Sequence, residues 1–362
     1  MTISVTSIIK KLLLLFLVIA GVYFGKEFLM PLTIGGILAT LFLPFSQWLE
    51  RKKIPKGVAV FLCLLSVLLI IAFIFSLLGW KVAELANDFS SIKEKATASF
   101  AKLQQYIFNN LGISVKEQSK ILNSEPRSYT AMVQKVGGSI TKILGDLFLV
   151  LVYFIFLLYY RSHLKKFMLK LAESSKKDEM ERIVDSCAKV SQQYLIGLFK
   201  MIVCLWIMYG IGFSIVGVKN AIFFAILCGI LEIIPFVGNL TGTTLAVFVT
   251  ALEGGSSSTI IGIVIIYGAV QFIQGWVLEP LILGPQVKIN SLFTIIALVL
   301  GELVWGIPGI ILAIPLTAML KIVCDQVETL KPYGFLIGEI KMAKKEQSFF
   351  DSFRSALSLK KK

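Results

Sequence analysis

Apolar residues run through this chain in blocks long enough to cross a bilayer, separated by short polar and basic segments. A helix needs about 20 consecutive apolar residues to span a hydrocarbon core of about 30 Å. Such blocks fall near residues 8–25, 28–49, 57–80, 142–160, 195–217, 220–252, 259–283 and 291–324. The pattern predicts an all-α, polytopic integral membrane protein of about eight spans. Blocks six and eight are long for one crossing, and each carries an internal Pro/Gly break. Each is therefore expected to be a broken helix or a re-entrant pair.

Between blocks three and four the pattern changes. Ile92, Phe100, Leu103, Ile107 and Leu111 recur at helical spacing in a mixed-charge background, with turn residues at Asn110, Gly112, Asn123, Ser124 and Pro126. The chain is thus expected to divide into N-terminal spans (1–80), an extramembrane amphipathic helical region (81–141), a core (142–325) and a basic tail (326–362). Segment 171–193 reads as a second amphipathic stretch. In the tail, Phe349, Phe350, Phe353 and Leu357 alternate with Lys344, Lys345, Arg354 and Lys360 to Lys362. That pattern suits an anionic membrane surface as well as a solvated tail. Lys10-Lys11 before the first block resembles a signal peptide, but no A-x-A-like site follows, so a retained first span is expected.

Composition agrees with the bilayer as solvent: 56% of residues are apolar and 16% charged, against about 25% charged in soluble domains. The net charge of +14 sits in short segments between apolar blocks, which argues for a membrane surface and against nucleic acid. Eight crossings would put Lys10, Lys11, Arg51, Lys52, Lys53, Lys56, Arg161, Lys165, Lys166, Lys170 and Lys321 on one side. Lys26/Glu27, Lys219 and Lys288 would then lie on the other. Basic loops face the cytoplasm, so both termini are expected there. The five cysteines show no metal or disulfide spacing, and the one histidine, His163, lies in a basic loop. No metal, no cofactor and no enzyme activity are expected, since P-loop, Rossmann and triad signatures are all missing.

Chemistry inside the blocks rests on few residues. Ionisable groups within a span are costly and mark pathways; here they are Asp146, Glu232, Glu279 and Glu302, with Lys200 a basic neighbour. Asp146 is expected at an interface, and Lys200 is expected to snorkel to one. Glu232 precedes Pro235, Gly238 and Asn239. Glu302 precedes Gly306, Pro308 and Gly309. A carboxylate beside a proline-broken helix is an arrangement that ion sites in discontinuous helices use. Block seven adds Gln271 and Gln274 on one helical face, ahead of Glu279-Pro280; single amides of this kind also serve simply to bind helices together. Blocks five–six and seven–eight read as two copies of one unit.

Three stretches carry a family resemblance: Ile233-Ile-Pro235-Phe-Val-Gly238, Gln271 through Glu279-Pro280, and Gly301 through Trp305-Gly306-Ile-Pro308-Gly309 to Pro315. In order and spacing they resemble the autoinducer-2 exporter family of bacterial permease-like proteins. The resemblance implies a homo-oligomeric inner-membrane protein that moves a small molecule or ion without a nucleotide-binding domain. Export of the furanone signal autoinducer-2 and sodium/proton antiport are both linked to the family. Where members often read Gln-x-x-Glu-Gly-Asn, this chain has an amide at Gln274; where many open the last span with His-Pro, it has Asn290-Ser291. The expected function is secondary or facilitative export. The alternatives are Na+(Li+)/H+ antiport and a non-transporting scaffold that binds a partner through 81–141.

Overall fold

The computed structural model describes residues 5–87, 129–235, 237–284 and 288–339. Among them every regular element is a helix, with one isolated bridge and short connecting turns. The expectations for the 88–128 part of the amphipathic region and for the tail from 340 lie outside the described residues. The described ends of 81–141 continue the neighbouring helices.

Four helices come first: α1 (Val5–Phe24), α2 (Lys26–Arg51), α3 (Lys56–Asn87) and α4 (Tyr129–Leu171). Helices α2, α3 and α4 bury Ala39, Ala59, Cys63, Phe154 and Leu158 between them. At one end this bundle is clasped by Arg161, whose guanidinium donates to both carboxylate oxygens of Glu50 at 2.8 and 2.6 Å and to Ser46 Oγ at 3.1 Å. Helix α5 (Lys177–Ile215) starts beside this clasp, where Lys165 pairs with Asp185 at 2.8 Å. Its 39 residues extend about 58 Å at 1.5 Å per residue, so it crosses the membrane and projects beyond it.

The sixth apolar block is neither one rod nor one kinked rod. It forms α6 (Ala221–Leu231) and α7 (Val237–Leu252), which fold back on each other. Asn220, before α6, donates to Glu253, after α7, at 3.3 Å. Further in, a Cβ at Gly242 would touch Cys228, and one at Gly238 would overlap the Leu231 carbonyl. These pairings are antiparallel, so the block is a hairpin that begins and ends on one face of the molecule.

Helix α8 (Ser257–Ile273) runs on into a π-helical segment, Gln274–Leu283. It lies antiparallel to α5, with Val216 against Gly262, Gly212 against Ile266 and Gly197 against Ile282. Together α5 to α8 bury Leu205, Tyr209, Phe213, Phe224, Ala246 and Ile263. The last block again forms a hairpin, α9 (Ser291–Trp305) and α10 (Ile307–Gln326), turning at Gly306. Gly301 and Gly309 meet backbone to backbone, leaving no room for a side chain on either. A short helix, α11 (Lys331–Ile337), follows.

The hairpins correct the loop assignment. Asn290 donates to the carbonyls of Leu336 and Gly338 at 2.8 and 3.1 Å, and Glu339 N–H donates to Lys288 at 3.2 Å. Lys288 therefore lies on the face where α10 ends, the face that also carries Arg161, Lys165 and the start of α5; Cys187 Sγ lies 3.8 Å from Met319 O there. Eight simple crossings would put Lys288 on the opposite side; a hairpin that begins and ends on one face returns it to this one. The units α5 plus α6–α7 and α8 plus α9–α10 share an order of elements but run in opposite directions.

Candidate functional site

Pro235 closes α6. It offers no N–H, and its ring disfavours helical geometry at Ile234. The chain turns and restarts as α7 at Val237, leaving Glu232 at the hairpin tip. Gly229, one turn earlier, lies under the Trp206 ring, and the Trp206 indole N–H donates to Ile226 O at 3.0 Å. These contacts set Gly229 level with residues 202–206 of α5, and the tip about one turn nearer the start of α5, within its apolar stretch of 195–217. The depth comes from packing, not from any local property of Glu232.

Opposite the tip, α8 widens into its π-helical segment, with Pro280 inside. Wider turns of this kind are frequent at functional sites, because they rotate side chains off the regular helical faces. Gln274 begins the segment and is 3% exposed. Its Nε2 donates to Glu232 Oε1 at 2.5 Å and lies 3.4 Å from Glu279 Oε1, while its Oε1 accepts from Asn239 Nδ2 at 3.1 Å. One amide thus holds two carboxylates and an asparagine from three elements.

The network is incomplete in a specific way. Glu232 is 7% exposed and Asn239 fully buried, yet Glu232 Oε2 and Asn239 Oδ1 have no hydrogen-bond partner among the described residues. Both are acceptors. Among the described residues the Tyr209 hydroxyl and Ser191 Oγ, far apart along α5, are also buried without partners. Cys228 Sγ and Thr243 Oγ1, 3.9 Å apart, lie between α6 and α7. Among the described residues no basic side chain forms an ion pair with Glu232 or Glu279, and no cluster of three metal-ligating groups occurs.

Glu232, Asn239, Gln274 and Glu279 are therefore brought together, with Pro235 and Gly238 shaping the tip. Gln271 is half-buried one turn before Gln274. Glu302 is exposed on α9, and Gly306, Pro308 and Gly309 form the tip of the other hairpin, which packs against α1, α2 and α5. Lys200 is exposed on α5. The two proline breaks thus belong to separate places. Tyr209 was not singled out from the sequence, although a hydroxyl in the middle of an apolar block usually needs a partner.

The second tip has its own cavity of about 540 Å³. Tyr23, Lys26, Glu27, Lys142, Asp146 and Trp305 line it, and Trp305 fixes the tip by donating its indole N–H to Val22 O at 3.1 Å.

Crossing helices, inward hairpins and a buried polar network among apolar walls define a polytopic membrane transporter. The chain belongs to the AI-2E transporter family, whose model matches residues 12–329. It is similar to YueF of Bacillus subtilis, provisionally named a transport protein, at 28% identity over 319 residues, 83% of this chain and 84% of YueF. A Borreliella burgdorferi protein with the same provisional name is 23% identical over 339 residues, 92% of this chain and 91% of its own. The AI-2 transport protein TqsA of Escherichia coli is 20% identical over 327 residues, 90% of this chain and 93% of TqsA.

Proposed function

We propose that the protein exports a small solute across a bacterial inner membrane by a secondary or facilitative mechanism, and that Glu232 is its proton- or cation-binding group. One observation carries the reading: a buried carboxylate at a hairpin tip, within the apolar stretch of α5, shares an amide with a second carboxylate and keeps one oxygen without a partner among the described residues. An isolated carboxylate in such surroundings is costly to keep charged. A proton, a cation or a donor-bearing solute would relieve that cost at Glu232 Oε2 and Asn239 Oδ1 together. Binding that differs between the two membrane faces would then couple the group to solute movement.

The AI-2 named for TqsA makes autoinducer-2 the first solute to test. The basic face formed by the ends of α2, α4 and α10 supports cytoplasmic termini, and a homo-oligomer is part of the same proposal. The test is efflux from proteoliposomes holding the full chain. Wild type should release the solute faster than empty vesicles, and Glu232→Gln should lose that advantage; equal rates for both proteins would overturn the assignment to Glu232.

The unpartnered acceptors also favour a second reading, Na+(Li+)/H+ antiport. Glu302, exposed on α9, gives it no support, so Glu232 and Glu279 would carry it. Sodium-dependent proton release from everted vesicles, abolished by Glu232→Gln, would favour antiport over solute export.

A further inference from the structure

The cavity at the α9–α10 tip has a pattern of charge that the transport site does not use. Two elements each bring one cation and one anion to its wall. Lys26 and Glu27 are neighbours at the start of α2, and Lys142 and Asp146 lie one turn apart on the same face of α4. Among the described residues none of these four forms an ion pair with another. Lys26 instead stands over the Tyr23 ring, 5.5 Å from its centre.

A purely anionic guest would meet Glu27 and Asp146, and a purely cationic one would meet the two lysines. A guest carrying both signs satisfies all four. The remaining walls are apolar: Met30, Ile143 and Leu303 line the cavity, and Ile143 and Leu303 are exposed on the outer surface. The cavity lies at the level of the α1–α2 turn, where two crossings end, so its charges stand at headgroup depth and its apolar rim continues into the hydrocarbon layer. We propose that this cavity binds a zwitterionic phospholipid headgroup, its phosphodiester toward Lys26 and Lys142 and its ammonium toward Glu27 and Asp146.

Such a guest would touch the second hairpin at its turn. Gly306 has φ +65° and ψ −142°, a conformation that side-chain-bearing residues rarely adopt, and both Trp305 and Gly306 line the cavity. A bound headgroup would hold the tip against α1 together with the Trp305–Val22 hydrogen bond.

The test uses the full chain in nanodiscs of phosphatidylethanolamine or of phosphatidylglycerol, with amide exchange followed over residues 303–310. Lipid retained after detergent extraction is counted by native mass spectrometry. Wild type should keep phosphatidylethanolamine about tenfold better than the double variant Lys142→Gln/Asp146→Asn, and exchange at the tip should slow only in that lipid. Lys142 is exposed and Asp146 half-buried, and thermal unfolding of the variant verifies its fold. Glycerophosphoethanolamine added to phosphatidylglycerol discs separates the sources: protection by it alone supports the same charge pattern with a free zwitterion as guest. Equal retention by both proteins, or tip exchange indifferent to headgroup, would overturn the proposal.

Discussion

At the scale of single residues, the site depends on one amide that serves two acids. Glu232→Gln is nearly isosteric, so the fold should survive while solute flux in proteoliposomes falls about tenfold or more. Gln274→Leu should act differently. It removes the donor from a buried carboxylate and the acceptor of Asn239, a loss of about 1–3 kcal/mol for each group left unsatisfied. A lowered unfolding midpoint in detergent would register it. Glu232, Asn239, Gln274 and Glu279 could all be selected from the sequence, because polar groups in apolar blocks are costly and few. Their meeting could not, since 35 residues separate Asn239 from Gln274 and nothing local encodes that contact. Glu302 also precedes a proline in an apolar block, as Glu232 does, and lies on an exposed face instead.

At the scale of elements, Pro235, Gly306 and Pro308 announced the breaks, but a break is compatible with a kink, a rod in two pieces or a fold-back. The fold-back is decided by the glycines that let arms touch. At Gly309 any side chain would overlap the Gly301 backbone, so Gly309→Val should part α9 from α10. Overpacking of this kind costs about 1–3 kcal/mol and occasionally more, measurable as a fall in thermal stability. Gly306→Ala would test the turn alone, with a strain of about 1–3 kcal/mol for its unusual backbone conformation. The π-helical widening at Gln274 had no sequence signal beyond Pro280, and it is the feature that delivers the amide to Glu232.

At the scale of the whole molecule, the hairpins set which loops share a face. With the five cysteines replaced, Lys288→Cys should react with an impermeant thiol reagent from the same side as Lys52→Cys. Glu253→Cys should react from the opposite side. Eight simple crossings would give the reverse for both Lys288 and Glu253. The class of fold followed from block lengths alone, because the hydrocarbon core imposes them. The number of crossings did not, because a hairpin and a long span have similar composition.

The Gln274 amide has an electrical consequence. An amide is neutral in every state of the transport cycle, so the site's charge is set by its two glutamates alone. If a neutral solute travels with one proton, each cycle carries one elementary charge across the membrane. Its equilibrium then shifts by about 2.3 kcal/mol per 100 mV. If one proton is exchanged for one sodium ion, no net charge moves and the membrane voltage has no leverage. A solid-supported membrane recording after a jump in the tested solute or in sodium should therefore show a transient current for the first case and none for the second.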